Sequence, residues 1–474
     1  MVAELSITRR ALHDLMALAG RPLPDFVRFV EGPAAMATRF YAEEAAAAAL
    51  AATGVLAADL WRERSGQAQA VTVIVREAAA ALTSFLHNVF ADAAQAPRLH
   101  REGRTPADGF FATRDGRFIY LHPSFPESGR RLHELMGRPA DREAVVRAAH
   151  SWTAMDLEAA IVDRGLCGAM ARTPEEWDDS EQGRILRGWP PVEVTRIAES
   201  PPEPLSADAE APLSGIRTLD LTRVLAGPTC ARTLAQYGAQ VLYVASPALP
   251  AVEPFVADTN HGKRSAWLDL KTSPGRAMLE RLIGGCDVFS QGYRGGALER
   301  LGFGPAQLAA LRPGVVCVEI NAYGHEGPWR NRPGWEQLAQ TVTGMAHVHG
   351  LTAPGEAPGP CLQPGAVNDY TTGFLAALGA MIALHRRALY GGSYLVRVSL
   401  AQTAMWVRSL GLAPAERLQA VRAVAPEELD AWRIDSASGY GPMRHLRPAV
   451  GLSATPARWA LPVVRLGTHE AAWT

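Results

Sequence analysis

From residue 213 onward, short apolar runs alternate with helical segments of about ten residues. The runs are typical of strands and the segments between them carry a helical pattern. The strand-like runs are GIRTLDLT, QVLYVAS, DVFSQGY and GVVCVEINAYG. Such alternation builds βαβ units and a parallel sheet, in which ligands bind beyond the carboxyl ends of the strands. The sequence therefore predicts a large α/β domain over 213–411, with its functional residues in the loops that follow strands.

The residues before this domain have a different character. Residues 1–107 include a helix predicted over 42–64 and a β-branched strand over 70–75. Residues 108–198 begin with a predicted hairpin around Asp115-Gly116 and continue as short helices. We predict from this an N-terminal helical segment followed by a small α+β domain.

Two further segments lack a regular pattern. Residues 199–212, ESPPEPLSADAEAP, are rich in Pro, Ala and acidic residues, which indicates a linker. Residues 412–474 form a C-terminal tail that Pro and Arg interrupt. We expect this tail to wrap the small domain or a partner chain.

An internal repeat connects the two halves of the chain. Residues 44–84 and 369–409 both show an apolar helix, a basic turn with glycine, a V-x-V strand and an Ala-rich helix. An offset of 325 residues aligns Gly54 with Gly379. The pattern predicts that one supersecondary unit occurs twice.

Charge and cysteine content narrow the function classes. The chain has 47 basic and 48 acidic side chains, so it lacks the electrostatic signature of nucleic-acid or anionic-membrane binding. No charge-free apolar run reaches membrane-spanning length, and the charged N-terminus is unlike a signal peptide. Five scattered cysteines without a CxxC pair favour reduced thiols and a cytoplasmic location. We therefore predict no metal, no nucleic-acid partner and no membrane partner.

Four basic residues lie beside predicted strands of the large domain. Arg223 ends the first strand, Lys263 and Arg264 precede another, and Arg294 follows a third between glycines. Lys263 is one of only two lysines, and a lysine is a compact point charge where arginine is a planar fork. These positions suit a phosphorylated ligand, although ordinary solvated turns give the same pattern.

Asp369 is the strongest candidate for chemistry. It directly precedes an almost wholly apolar helix in AVNDYTTGF, where an aspartate suits a helix N-cap. The same position suits a carboxylate that faces a cavity, stays ionised beside helix N–H groups and acts as a nucleophile. The repeat offset aligns Asp369 with Glu44.

Six runs in the second half together resemble the class III CoA-transferases, the formyl-CoA and carnitine CoA-transferase family that also contains α-methylacyl-CoA racemase. The runs follow each other over 213–410: LSGIRTLDLTRVLAGP, GKRSAWLDLK, DVFSQGYRGGALERLGFGP, AYGHEGP, NDYTTG and RVSLAQTA. The resemblance implies a Rossmann-like large domain. Residues 108–198 are similar to the family's small domain, which normally follows the large one. The chain is then two fused modules, each missing a part, or one permuted module.

The resemblance also implies an activity and residue roles. Family transferases move CoA between an acyl-CoA and a carboxylic acid through covalent aspartyl intermediates, and Asp369 matches the nucleophile. The resemblance implies no prosthetic group, with the CoA thioester as substrate. The residues implied at the CoA site are Arg223, Leu225, Ala226, Gly227, Lys263, Arg264, Tyr293 and Arg294. Family members form interlocked rings in which two chains thread through each other. The resemblance therefore implies a homodimer, which can be interlocked, or a single chain that mimics part of the interlocked arrangement.

Departures from the family pattern leave alternatives open. The racemase pairs its aspartate with a histidine where this chain has Trp335 and Glu336, which we expect to contact substrate. Transfer is thus favoured over racemisation. Leu225 replaces a glutamine of the formyl-CoA branch, and Ala245 replaces an acidic residue. Because the domain order is rearranged and Glu44 resembles a remnant, a non-catalytic CoA-binding or assembly protein is the other alternative.

Overall fold

The computed structural model describes residues 5–97, 106–352 and 359–474. Parts of the predicted N-terminal segment, residues 1–4 and 98–105, lie outside the described residues. Within 5–97, one long helix and two short parallel strands form the first copy of the repeat. The elements are α1 (Ile7–Leu18), β1 (Val27–Val30), α2 (Ala42–Ser65), β2 (Val71–Ile74), α3 (Val75–Ala81) and β3 (Val89–Phe90).

The small domain has a three-stranded antiparallel sheet and short helices. Its first two strands form the predicted hairpin, with Gly116 at a φ of 73° in the turn. Thr173 and Glu176 form a capping box at the start of a helix. The elements are β4 (Gly109–Ala112), β5 (Phe118–Leu121), α4 (Pro126–Leu135), α5 (Arg142–His150), α6 (Ala154–Asp163), β6 (Gly168–Met170), α7 (Pro174–Asp179) and α8 (Glu181–Arg187). They are followed by β7 (Glu193–Ala198), which lies outside the small sheet.

The large domain alternates strands and helices, as the sequence predicts. Its first part contains β8 (Arg217–Leu221), α9 (Ala226–Gln236), β9 (Gln240–Ala245), α10 (Glu253–Thr259), β10 (Lys263–Trp267), α11 (Ser273–Gly284) and β11 (Val288–Gln291). Its second part contains α12 (Pro305–Leu311), β12 (Val316–Asn321), α13 (Glu336–Val342), α14 (Met345–Gly350), α15 (Val367–Tyr390), β13 (Ser393–Ser399) and α16 (Leu400–Ser409).

The tail is folded onto the rest of the chain. It contains α17 (Arg417–Ala420), α18 (Pro426–Trp432), β14 (Arg433–Ser436), β15 (Met443–Leu446) and β16 (Gly451–Leu452). β16 pairs with β2, and β15 pairs with β3. Farther on, His469 hydrogen-bonds through its backbone to Ser265 of β10. The tail thus contacts the first copy of the repeat through β15 and β16, and the edge strand β10 of the large sheet through His469.

The main sheet has seven strands in the order β10-β9-β8-β11-β12-β13-β7. Six strands are parallel and β7 is antiparallel to β13, which confirms the predicted α/β fold with a mostly parallel sheet. The edge strand β7, residues 193–198, belongs to this sheet rather than to the small domain in which we predicted it.

The repeat predicted from the sequence is present in the fold. α2 and α15 each have 24 residues and are offset by 325 at both ends. In each copy, a glycine lets the helix contact a strand valine. An added Cβ would lie 2.8 Å from Val71 at Gly54 and 2.4 Å from Val396 at Gly379. Since the two valines are also 325 residues apart, the copies share one packing contact.

The two long helices are buried together in the largest apolar core. Within the described residues, α2 alone has the length and apolar composition to cross a bilayer, and 94% of its most apolar stretch is buried in the fold.

Candidate active site

A cavity of about 540 Å³ lies at the carboxyl edge of the main sheet. Its walls come from the loops after β8, β11 and β12, the residue after β13, the start of α13 and the start of α15. This is where a parallel sheet is expected to bind ligands. Nine of the eleven predicted site residues line it: Asp369, Arg223, Leu225, Ala226, Gly227, Tyr293, Arg294, Trp335 and Glu336.

The loop after β8 reaches the cavity because of close backbone packing. A Cβ at Gly227 would lie 2.3 Å from the side chain of Thr222, so only glycine suits this turn. Val224 has a φ of 68°, a strained conformation for a β-branched residue. Strain of this kind is frequent where a ligand binds, and Val224 lines the cavity.

Asp369 lies in the first turn of α15 and is 8% exposed. The N-cap of this helix is Ala366, so Asp369 is not the N-cap. A Cβ at Gly373, one turn farther on, would lie 2.6 Å from the Ala226 carbonyl oxygen. Gly373 therefore allows the start of α15 to pack against the start of α9. The residue next to Asp369 is also fixed, because the Tyr370 hydroxyl donates a hydrogen bond to Asp258 at 2.8 Å. These contacts hold Asp369 at the cavity wall.

Glu336 forms a carboxyl pair with Asp369. Its Oε1 accepts hydrogen bonds from the backbone N–H of Asn368 at 3.0 Å and from the Gln340 amide at 2.7 Å. Within the described residues, its Oε2 is buried without a hydrogen-bond partner. Neither carboxyl group forms an ion pair with a described basic side chain.

Both carboxyl groups of this pair have raised pKa values, whereas the sequence predicts an ionised Asp369. Burial raises the pKa of Glu336 to about 7. Burial first, and then the charge of Glu336, raises the pKa of Asp369 well above its ordinary value. Two close buried carboxyl groups without a neighbouring cation are difficult to ionise together, which favours one proton held by the pair.

Five arginines form part of the rest of the cavity wall. Arg223, Arg294, Arg300 and Arg330 line it, and none of them forms an ion pair among the described residues. Arg332 also lines it, but pairs with Glu158 at 2.8 Å. The cavity can therefore accommodate a ligand with several negative charges.

Lys263 does not reach this cavity, contrary to the sequence-based prediction. It begins β10, at the amino end of the strand, and is 0% exposed. Its Nζ donates to Asp220 and to the Pro228 carbonyl, both at 2.8 Å. Lys263 thus stabilises the start of α9 from inside. Arg264 is also absent from the cavity wall, and its guanidinium donates to the Ala472 carbonyl at 3.2 Å.

The sequence did not indicate the residues that the small domain contributes to the cavity. Ser124 and Phe125 come from the loop between β5 and α4, Ser128 comes from α4, and Cys167 precedes β6. Phe125 contacts two residues of the cavity wall, because the Arg223 guanidinium lies 4.7 Å from its ring centre and the Trp335 ring lies 5.4 Å away. Arg300 was also missed, although it lies in the run DVFSQGYRGGALERLGFGP. Its position after β11, at the carboxyl edge of the sheet, was the signal that could have indicated it.

Comparison with known proteins supports the same family. An acyl-CoA transferase of Gibberella moniliformis is 34% identical over 279 residues, covering 56% of this chain and 48% of that protein. An acetyl-coenzyme A transferase of Hypoxylon pulicicidum is 33% identical over 324 residues, covering 64% and 54%. The β subunit of succinyl-CoA–L-malate CoA-transferase of Chloroflexus aurantiacus is 34% identical over 199 residues, covering 39% and 48%.

This chain therefore spans about half the length of these curated relatives. The family model of CoA-transferase family III matches residues 10–184 and 213–431. The two matched ranges contain both copies of the repeat and most of the small domain. With most of its residues matched, the chain belongs to CoA-transferase family III.

Proposed function

We propose that this protein moves CoA between an acyl-CoA and a carboxylic acid, with Asp369 as the nucleophile. The observation that carries the proposal is the position of Asp369, a carboxyl group without an ion pair among the described residues, on the wall of an arginine-lined cavity. The names of the similar proteins, which include a succinyl-CoA–L-malate CoA-transferase, agree with this substrate class.

The arginines suit the CoA half of the substrate. CoA carries phosphate groups, and guanidinium groups bind phosphate through paired hydrogen bonds. Arg223, Arg294, Arg300 and Arg330 supply unpaired positive charge along the cavity wall. The apolar side chains of Ile320 and Leu400 line the same cavity as Asp369 and suit the acyl chain.

The reaction proceeds by covalent exchange at Asp369. Its carboxylate oxygen attacks the thioester carbonyl, the C–S bond breaks, and a mixed anhydride and CoA thiolate form. The thiolate attacks the aspartyl carbonyl of the anhydride, which releases the donor acid and leaves an aspartyl-CoA thioester. The acceptor carboxylate then takes CoA by the reverse sequence. One difficult exchange is divided into steps of similar energy.

Glu336 controls the proton of the nucleophile in this proposal. Asp369 attacks only as a carboxylate, so the proton that the pair holds must lie on Glu336 or leave the site. The N–H of Asn368 and the Gln340 amide stabilise the negative charge of Glu336, which favours the proton on Asp369, so this proton must leave the site before the attack.

Covalent trapping tests the proposal. The protein is incubated with a panel of acyl-CoAs, treated with hydroxylamine or borohydride, and digested for mass spectrometry. We expect modification of the peptide that contains Asp369, and no modification in Asp369→Ala. CoA exchange in the Asp369→Ala variant, or a modified peptide elsewhere, contradicts the assignment.

The carboxyl pair gives racemisation as a second candidate. Two carboxyl groups that share a proton can remove a proton from Cα on one side and return it on the other. Deuterium incorporation at Cα of a branched acyl-CoA in D₂O, without CoA exchange, would identify this activity. CoA exchange without incorporation excludes it.

A further inference from the structure

The two copies of the repeat are each completed by a strand that follows the other copy. β7 comes after the small domain of the first copy and pairs antiparallel with β13 of the second, with Val194 opposite Val396. β16 comes after the second copy and pairs antiparallel with β2 of the first, with Leu452 opposite Val71. The sheets β12-β13-β7 and β1-β2-β16 therefore have the same order and the same strand directions.

Residues at equivalent positions also meet between the copies. The Thr38 hydroxyl and the Gln363 side chain, which are 325 residues apart, form a buried hydrogen bond. They precede α2 and α15, and the two helices share one core. A contact between a residue and its own repeat equivalent is what an approximate two-fold axis produces.

The connections between the copies are fixed to the same chain. After β7, Glu203 pairs with Arg312 at 2.6 Å and Ser200 accepts a hydrogen bond from Gly392, so the predicted linker is bound to the domain that it precedes. After α16, the Ala413 N–H donates to the Arg39 carbonyl at 2.7 Å. Both crossings are short and packed.

The helix starts of the two copies differ in chemistry. In the first copy, Arg417 of α17 pairs with Glu43 and with Glu44, both at 2.6 Å. Its guanidinium also lies 5.2 Å from the Tyr41 ring. Glu44 is the repeat equivalent of Asp369. The carboxyl groups of the first copy are therefore neutralised by the tail, while Asp369 faces a cavity.

We propose that a single chain is a self-completed pair of repeats with one reactive carboxyl group. The second copy supplies Asp369, the small domain behind the first copy closes the cavity in the same chain, and Arg417 seals the equivalent acidic position. This inference rests on the proposed function for the reaction itself. It adds that one chain has one reactive site and that the walls of this site come from the same chain.

Complementation between two inactive variants tests whether the cavity is completed within one chain. Asp369→Asn removes the nucleophile, and Ser128→Trp fills the cavity from α4 of the small domain. Co-expressed, the two variants should remain inactive. If small domains act on neighbouring chains, hybrids regain one intact site, and about a quarter of wild-type exchange activity returns. Glu127→Trp, on the exposed face of α4, is the active control.

A cross-link gives an answer that does not depend on activity. Asp178 of α7 pairs with Arg408 of α16 at 2.9 Å, which connects the small domain to the second copy. Asp178→Cys combined with Arg408→Cys, treated with a short bis-maleimide, should give a cross-linked product of one chain, 50.8 kDa. A cross-linked product of two chains overturns the inference, even if the wild-type protein transfers CoA. Each single cysteine variant is the control.

Discussion

The starts of α2 and α15 show how one local structure acquires two chemistries. Both helices begin at equivalent positions of a repeat and both present carboxyl groups in the first turn. At α2, an arginine from the tail pairs with Glu43 and Glu44. At α15, Asp369 faces a cavity, and Glu336 in the first turn of α13 is the charged neighbour that acts on its pKa among the described residues. The helix start alone therefore does not determine whether its carboxyl group is ion-paired; the charge placed opposite it does.

The largest expected effect is the difference between matched substitutions at the two helix starts. Asp369→Asn removes the nucleophile and should lower the rate of CoA exchange by about 10⁴-fold or more. Glu44→Gln, at the equivalent position, should change the rate less than about threefold, because Glu44 lies outside the cavity. The rate is measured by mass spectrometry of the CoA products, with circular dichroism as the control for folding. Similar losses in both variants would remove the distinction between the copies.

Removal of Arg417 tests the contribution of the ion pairs at the start of α2. Arg417→Ala leaves two acidic side chains in a mostly buried place and should lower the free energy of unfolding by about 2 kcal/mol or more. The loss should depend on pH. Burial, and then Glu44, raise the pKa of Glu43 to about 7, so the folded state holds a proton that the unfolded state releases near its ordinary pKa of 4.5.

The free energy of unfolding therefore falls as the pH rises from 4.5 to about 7. It falls further in Arg417→Ala, because ionised Glu43 then lacks the attraction of Arg417. Urea unfolding at pH 5 and pH 8 measures this, and the destabilisation by Arg417→Ala should be larger at pH 8. Arg422→Ala is the control, since its side chain forms no ion pair with a described residue. An equal loss at both pH values would show that Glu43 does not hold the proton.

The shared helix–strand contact gives a matched pair of substitutions. Gly379→Ala would place a methyl group 2.4 Å from Val396 and 2.7 Å from Val192, and overpacking of this kind costs about 1–3 kcal/mol. Gly54→Ala would meet Val71 at 2.8 Å and Val450 at 3.0 Å, so its cost should be smaller. Thermal unfolding measures both. If Val396→Ala does not offset part of the loss in Gly379→Ala, the contact is not its cause.

The sequence predicted the features that local patterns determine. The parallel strands of the large sheet, the 325-residue offset and the position of Asp369 at the start of an apolar helix all follow from periodicity and motifs. The burial of Lys263 was not predictable in this way, because its partner Asp220 lies on β8, two strands away in the sheet. The sheet register, rather than the residues around Lys263, places the two charges together.

Tertiary docking explains the other features that the sequence did not show. Phe125 and Cys167 reach the cavity only because the small domain packs over it. The exchanged strands β7 and β16 are short, and nothing in their sequences indicates that each completes the other copy. The shared proton of Asp369 requires Glu336, which precedes it by 33 residues and belongs to another helix.

The smallest expected effect concerns the proton held by Asp369 and Glu336. It distinguishes the start of α15, which faces the cavity, from the start of α2, where Arg417 pairs with the carboxyl groups. In the wild-type protein, kcat/KM should fall as the pH is lowered, because protonation of the pair removes the carboxylate nucleophile. Glu336→Gln keeps the shape and hydrogen-bonding capacity of the side chain but removes its charge. Burial, and then the charge of Glu336, raise the pKa of Asp369, so loss of that charge should move the acid limb to lower pH.

The pH dependence of CoA exchange measures this shift, and Glu44→Gln is again the matched control, with an unchanged profile. The direction is decisive, since a general loss of structure lowers the plateau without moving the limb. If the limb stays in place in Glu336→Gln, burial alone sets the protonation of Asp369. Glu336 would then act only as the acceptor that binds the N–H of Asn368 at the start of α15.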